Sequence, residues 1–197
     1  FLLVFLSVLI RIPIILIYGD TNLENEWAAL VNNLISHGTL SYKSFEDFLL
    51  PNLFMPPLYA YYLYVFSFLN LAEQNYINLV LLSQALLASI SIVVFYKINK
   101  IFFSNKLSLY SSLLFSIFPL YIYASVQISS ISLQVFLTVL FFYFFFQLVE
   151  KRNLLSIVFF SFTAGLLILL RGEFYAILIL TLFYLFFLKI NINKILL

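Results

Sequence analysis

Cysteine is absent from all 197 residues, which removes disulfides, thiol catalysis and cysteine-ligated metals at once. Charge is almost as scarce: ten basic and eight acidic side chains make up 9% of the chain, against roughly a quarter in a soluble globular domain. So few charges cannot cover a water-soluble fold of this size, and a net charge of +2 is too slight to suggest a nucleic-acid partner. With four glycines and one histidine, the chain shows no nucleotide-binding glycine pattern, Walker motif, zinc signature or nucleophile elbow. That argues against ATP-driven chemistry in this portion. What the chain has in excess is apolar: 64% of it is hydrophobic and 20% aromatic, with a mean hydropathy of +1.11. The solvent for most of it is therefore lipid, and the fold class that follows is all-α, a polytopic transmembrane helix bundle. The chain starts at Phe1 inside one apolar run and ends at Leu197 as another begins, with no recognisable cleavable signal peptide. It reads as the N-terminal fragment of a longer protein, one transmembrane module over 1–197 with its C-terminal remainder missing.

Crossing the hydrocarbon core takes about 20 mostly apolar residues in a helix. Six runs qualify or nearly do: 1–18, 76–96, 107–124, 131–149, 154–170 and 174–188. A seventh, Pro57 to Leu71, is short, begins with proline and carries Tyr59, Tyr61, Tyr62 and Tyr64, a residue type that favours the headgroup level. The short connections alternate in sign. Lys97, Lys100 and Lys106 share one loop, Lys151 and Arg152 another, Lys189 and Lys194 a third, and the positive-inside rule places all three in the cytosol. Gln127 to Ser130 and Arg171-Gly172-Glu173 then face the other side. If Pro57 to Leu71 does not cross, the loop from Asp20 to Phe54 is on the outer face; if it crosses, that loop is cytosolic and the chain has seven spans. The short, tyrosine-rich character of the segment favours the first arrangement, an outer loop with interfacial helices over about 19–71.

Most of the unusual chemistry lies in that loop. Thr21-Asn22-Leu23-Glu24 has the form of a capping box, and Leu23, Trp27, Leu30, Val31 and Leu34 recur at helical spacing before Gly38 offers a stop. The pattern predicts an amphipathic helix lying along the membrane. Asp20 stands just ahead of it, where the helix dipole favours an ionised carboxylate. It is either a cap or, at the end of a membrane span, a general base. Arg11, followed by Pro13, lies about two and a half turns deeper in the first span; it either faces the interior and marks a functional pathway or snorkels to the interface. Glu24 and Glu26, two apart, point to different sides of a helix and make no natural metal pair. His37 at the helix end is explained by the terminal carbonyls, with catalysis the alternative. Trp27 and the tyrosines serve as interface anchors or as stacking platforms for a sugar.

Arg171-Gly172-Glu173 separates two apolar runs with almost no room for a loop. It is a tight turn with snorkelling charges or, on the functional reading, places a planar guanidinium fork at the outer interface to hold a lipid phosphate. Gln127, Ser129, Ser130 and Gln134 form a weaker polar cluster on the same face, of the kind that usually glues helices together.

The order of these features resembles the membrane-embedded GT-C glycosyltransferases, in particular the branch of protein mannosyltransferases and lipid A aminoarabinose transferases. The residues that carry the likeness are Arg11 in the first span, Gly19-Asp20, Glu26-Trp27-Ala28, His37-Gly38, Met55-Pro56-Pro57-Leu58-Tyr59 and Leu170-Arg171-Gly172-Glu173. As an arrangement of elements it covers nearly the whole chain; its specificity is mainly in the first loop. Met55 stands where some relatives carry a phosphate-binding lysine, and Ser130-Ile131-Ser132-Leu133 where an acid is often found. The resemblance implies a catalytic first loop on the outer face of a plasma membrane, a bacterial inner membrane in the simplest case, within the cell envelope. It implies Asp20 as the base that activates an acceptor hydroxyl and a polyprenyl-phosphate sugar as donor. The acceptor would be a lipid, a glycan or a protein. With Met55 at the lysine's place, the lipid phosphate falls to Arg171, Lys43 or residues beyond Leu197, with Arg11 and Glu26 as further binding candidates. No cofactor is required by this reading, although a divalent metal fits it. The rival is a polytopic transporter or flippase segment, which calls for polar residues from several spans facing one cavity; here polarity is concentrated in one loop.

Overall fold

A computed structural model of the chain describes residues 2–23, 25–42, 49–51 and 55–188. The described residues form helices and no strands: α1 (Leu2–Tyr18), α2 (Asn25–His37), α3 (Pro57–Ser67), α4 (Glu73–Phe102), α5 (Asn105–Ser116), α6 (Pro119–Ser125), α7 (Ile131–Lys151), α8 (Leu154–Leu170) and α9 (Phe174–Phe187). Two of them, α4 and α7, are long and apolar enough to cross a membrane by themselves. The apolar helices α1, α8 and α9 are shorter.

The boundaries follow local chemistry. Ser104 caps α5 through the Leu107 N–H, and Asn153 caps α8 through the Ser156 N–H at 2.9 Å. Arg152, at φ 48°, turns the chain out of α7. The run expected as one span over 107–124 forms two helices, α5 and α6, bent by 56° at a short break; taken together they are long and apolar enough to cross a membrane. Pro119 explains the break: it has no N–H to give, and it pushes Phe118 into an extended conformation at ψ 116°.

The long helix α4 is central, packed against α1, α5 and α7, while α7 in turn packs on α8. Lipid supplies no hydrophobic drive between helices, so close approach and polar contacts hold them. Ala85, Ala88 and Ser89 of α4 are buried, and the Ser89 hydroxyl donates to Ser7 of α1 at 2.9 Å. Between α7 and α8 the contact is aromatic, with Phe141 on Phe160 at 4.9 Å and Phe144 stacked on Phe159 at 5.0 Å.

Helix α2 forms where the sequence predicts an amphipathic helix, and Gly38 ends it at φ +65°, its N–H returning to the Leu34 carbonyl. The Glu24 half of the expected capping box lies outside the described residues. The apolar face of α2 finds protein rather than lipid. Leu30 and Leu34 cluster with Ala60 of α3, and Val31 belongs to the main core. Burying each large aliphatic side chain contributes about 2 kcal/mol. At 11 residues, α3 rises only about 16 Å, too short to cross the bilayer alone. Its Tyr59, Ala60 and Leu63 are buried under α2 and against α4 and α8.

Candidate active site

Where α1 ends, the chain must leave the bundle and turn into α2. Gly19 makes that exit feasible, because a Cβ there would overlap the carbonyl oxygen of Ile15 and press on the Leu81 side chain at 3.0 Å. Asp20 follows at once. Its Oδ2 accepts the Ile128 N–H at 2.6 Å, a bond between the end of α1 and the turn joining α6 to α7. No described residue donates to Oδ1. The Gln127 side chain strengthens the same junction, its Nε2 donating to the Tyr18 carbonyl at 2.6 Å.

A predominantly polar cavity of about 400 Å³ opens here, lined by Gly19, Asp20, Thr21, Asn22, Glu26, Trp27 and Ile128. Asp20 and Glu26, from different parts of the loop, therefore share one wall-lined space. Trp27 lines it too, held edge-on against Tyr59 at 4.7 Å. Tyr59 is not the interface anchor expected of it: it is buried, and its hydroxyl donates to Gln84 Oε1 at 2.6 Å. Burial pushes its phenol well above the ordinary tyrosine range, with Tyr62, Tyr76 and Asp20 adding smaller pushes the same way, so it stays a neutral donor.

The remaining sequence candidates lie elsewhere. Arg11 faces the interior and does not snorkel: it is fully buried. Its Nε donates to Ser125 Oγ at 2.9 Å, and its Nη1 to Ser7 Oγ at 2.5 Å and to the carbonyls of Ser7 and Ser116. The guanidinium lies 5.2 Å from the Tyr121 ring centroid, and Nη2 has no partner among the described residues. These contacts sit at the α5–α6 break, where a broken helix leaves a carbonyl to be satisfied. Arg171 ends α8 on an exposed turn, 3.4 Å from Glu173. Neither arginine lines the Asp20 cavity. His37 is exposed at the end of α2, and Lys43 lies outside the described residues. Among the described residues no three metal-ligating side chains come together.

Sequence reasoning passed over the Ile128 N–H, since a backbone amide has no signature, and Gln84, whose only signal is an amide inside an apolar run.

A family model described as dolichyl-phosphate-mannose-protein mannosyltransferase matches residues 54–196, well over half the chain. The chain belongs to that family. It is a membrane-embedded glycosyltransferase of the GT-C type, and membership takes the place of the transporter reading. The match begins at residue 54, after Asp20 and Glu26, so it is independent of both. No curated protein and no solved structure matches the chain significantly.

Proposed function

We propose that this mannosyltransferase-family chain moves a sugar from a polyprenyl-phosphate donor to an acceptor hydroxyl at the outer membrane face, with Asp20 as general base. The observation that carries the reading is the Asp20 carboxylate itself, on the wall of a polar cavity with Oδ2 anchored by the Ile128 N–H and Oδ1 without a protein donor. An anchored oxygen fixes the carboxylate; the other is available to an acceptor proton. As Oδ1 takes that proton, the acceptor oxygen attacks the anomeric carbon. The bond from that carbon to the lipid phosphate breaks on the opposite side, inverting the centre.

A leaving phosphate already carries charge, so it calls for cations more than for an acid. Arg171 is exposed enough to reach a headgroup, and we assign the phosphate to Arg171 and Lys43 ahead of Arg11, whose guanidinium is enclosed by serines. Glu26, which lines the same cavity, would accept from sugar or acceptor hydroxyls. An outer-face site also fits an activated sugar delivered on a lipid, with no nucleotide required.

The test is transfer of radiolabelled mannose from a polyprenyl-phosphate donor by the enzyme in its native membrane. Asp20→Asn keeps the acceptor oxygen for Ile128 and removes the base, so turnover should fall by about 10²–10⁴ while donor binding survives. Near-normal turnover in that variant would sink the assignment.

A further inference from the structure

Gln84 sits in the middle of the core helix α4 and is fully buried. A primary amide in such a place is costly unless both of its ends are satisfied, and here both are. Its Oε1 accepts the Tyr59 hydroxyl at 2.6 Å, and its Nε2 donates to the Gln127 carbonyl at 2.7 Å. The carbonyl of Gln127 belongs to the same peptide group as the N–H of Ile128, and that N–H donates to Asp20 Oδ2 at 2.6 Å. A peptide group is planar and stiff. Gln84 thus holds one end of a rigid unit whose other end holds the carboxylate, in the order Tyr59 hydroxyl, Gln84 amide, 127–128 peptide, Asp20. Each donor in such a chain polarises the next.

We propose that Gln84 is a positioning residue for Asp20, acting through the peptide group that joins Gln127 to Ile128. The inference rests on the reading of Asp20 as base. It explains why an amide, with a donor and an acceptor on one planar head, occupies a fully buried position of α4. The Tyr59 link extends the same line to Trp27, which also lines the cavity, so one buried side chain is connected to two of the residues that line it.

The experiment is a double-mutant cycle on transfer from polyprenyl-phosphate mannose in native membranes. Gln84→Met fills the space without a hydrogen bond. It should lower kcat by about tenfold to a hundredfold with the donor KM nearly unchanged. In an Asp20→Asn background the same change should cost nothing further, because there is no longer a base to position. A full multiplicative loss in that background, or wild-type kcat for Gln84→Met alone, overturns the positioning role. Near-normal turnover by Asp20→Asn alone would instead remove the reading on which it rests. Gln84→Glu covers the case in which Gln84→Met does not fold. A carboxyl group at this position can donate to the Gln127 carbonyl only while protonated, so activity should persist on the acid side and fall as pH rises and the carboxyl ionises. The wild type should lack that falling limb; its absence from the folded variant also overturns the proposal.

Discussion

Arg11 and Asp20 stand on one helix and at its exit, about two and a half turns apart, yet their surroundings differ in kind. Around Arg11 the fold encloses the guanidinium and gives Nε and Nη1 their partners: serine hydroxyls of α1 and α6 and the carbonyl freed where α5 breaks, with Nη2 alone left without one among the described residues. Around Asp20 the fold supplies one donor and leaves a polar cavity of about 400 Å³. Both are charged groups that an apolar chain would discard if nothing required them. The difference teaches that charge among membrane helices has two uses, closing a gap in the backbone and opening a site, and that unfilled polar volume beside the charge separates them.

The comparison can be broken at several points. After Asp20→Asn itself, the largest effect belongs to Gly19→Ala, because the added Cβ meets the Ile15 carbonyl oxygen and the backbone must shift directly beside Asp20. A displacement near 1 Å should cost roughly a hundredfold in kcat, measured as transfer rate at saturating donor. A variant of full activity would show that the exit from α1 does not set the carboxylate. Next is Arg171→Ala, which should raise the donor KM about tenfold, some 1.4 kcal/mol of binding, while kcat holds. An unchanged KM in a donor titration would leave the phosphate to Lys43 or to other residues. The smallest effect on substrate is expected at the enclosed site. Arg11→Met should move the donor KM by less than about twofold, but leave the Ser116 carbonyl short of a partner at a cost of about 1–3 kcal/mol of stability. Thermal unfolding in detergent reads the second quantity, and a large KM change with unaltered stability would place Arg11 at the substrate after all.

Much of this architecture is legible in the residues. Long apolar runs announce the helices, the spacing of Trp27, Leu30, Val31 and Leu34 announces α2, and Gly38 marks its end. Asp20 stands out as an acid at the end of a span. Other features could not be read. The α5–α6 break has its signal in Pro119, but an unbroken apolar run outweighs a single proline when hydropathy is the guide. The completed site depends on contacts across more than a hundred residues, between Asp20 and Ile128 and between Gln127 and Tyr18. One partner in each is a main-chain group, which every residue type supplies equally. Gln84 is a third case: its importance lies in what it joins, and periodicity is blind to that. The α2 face expected to lie against lipid packs on α3, because Ala60 leaves room for Leu30 and Leu34 at close range.

The most direct measurement of the central claim uses the absence of cysteine from these residues. A single cysteine is placed either at Asn22, on the exposed wall of the Asp20 cavity, or at Ser125, buried beside Arg11. Intact cells are then treated with a membrane-impermeant maleimide, any cysteine elsewhere in the protein having been replaced. The account predicts that Asn22→Cys is labelled from outside and loses sugar transfer as it reacts, whereas Ser125→Cys is labelled from neither face. Protection of Asn22→Cys until the membrane is permeabilised, or labelling that leaves transfer intact, would contradict an open catalytic site on the outer face.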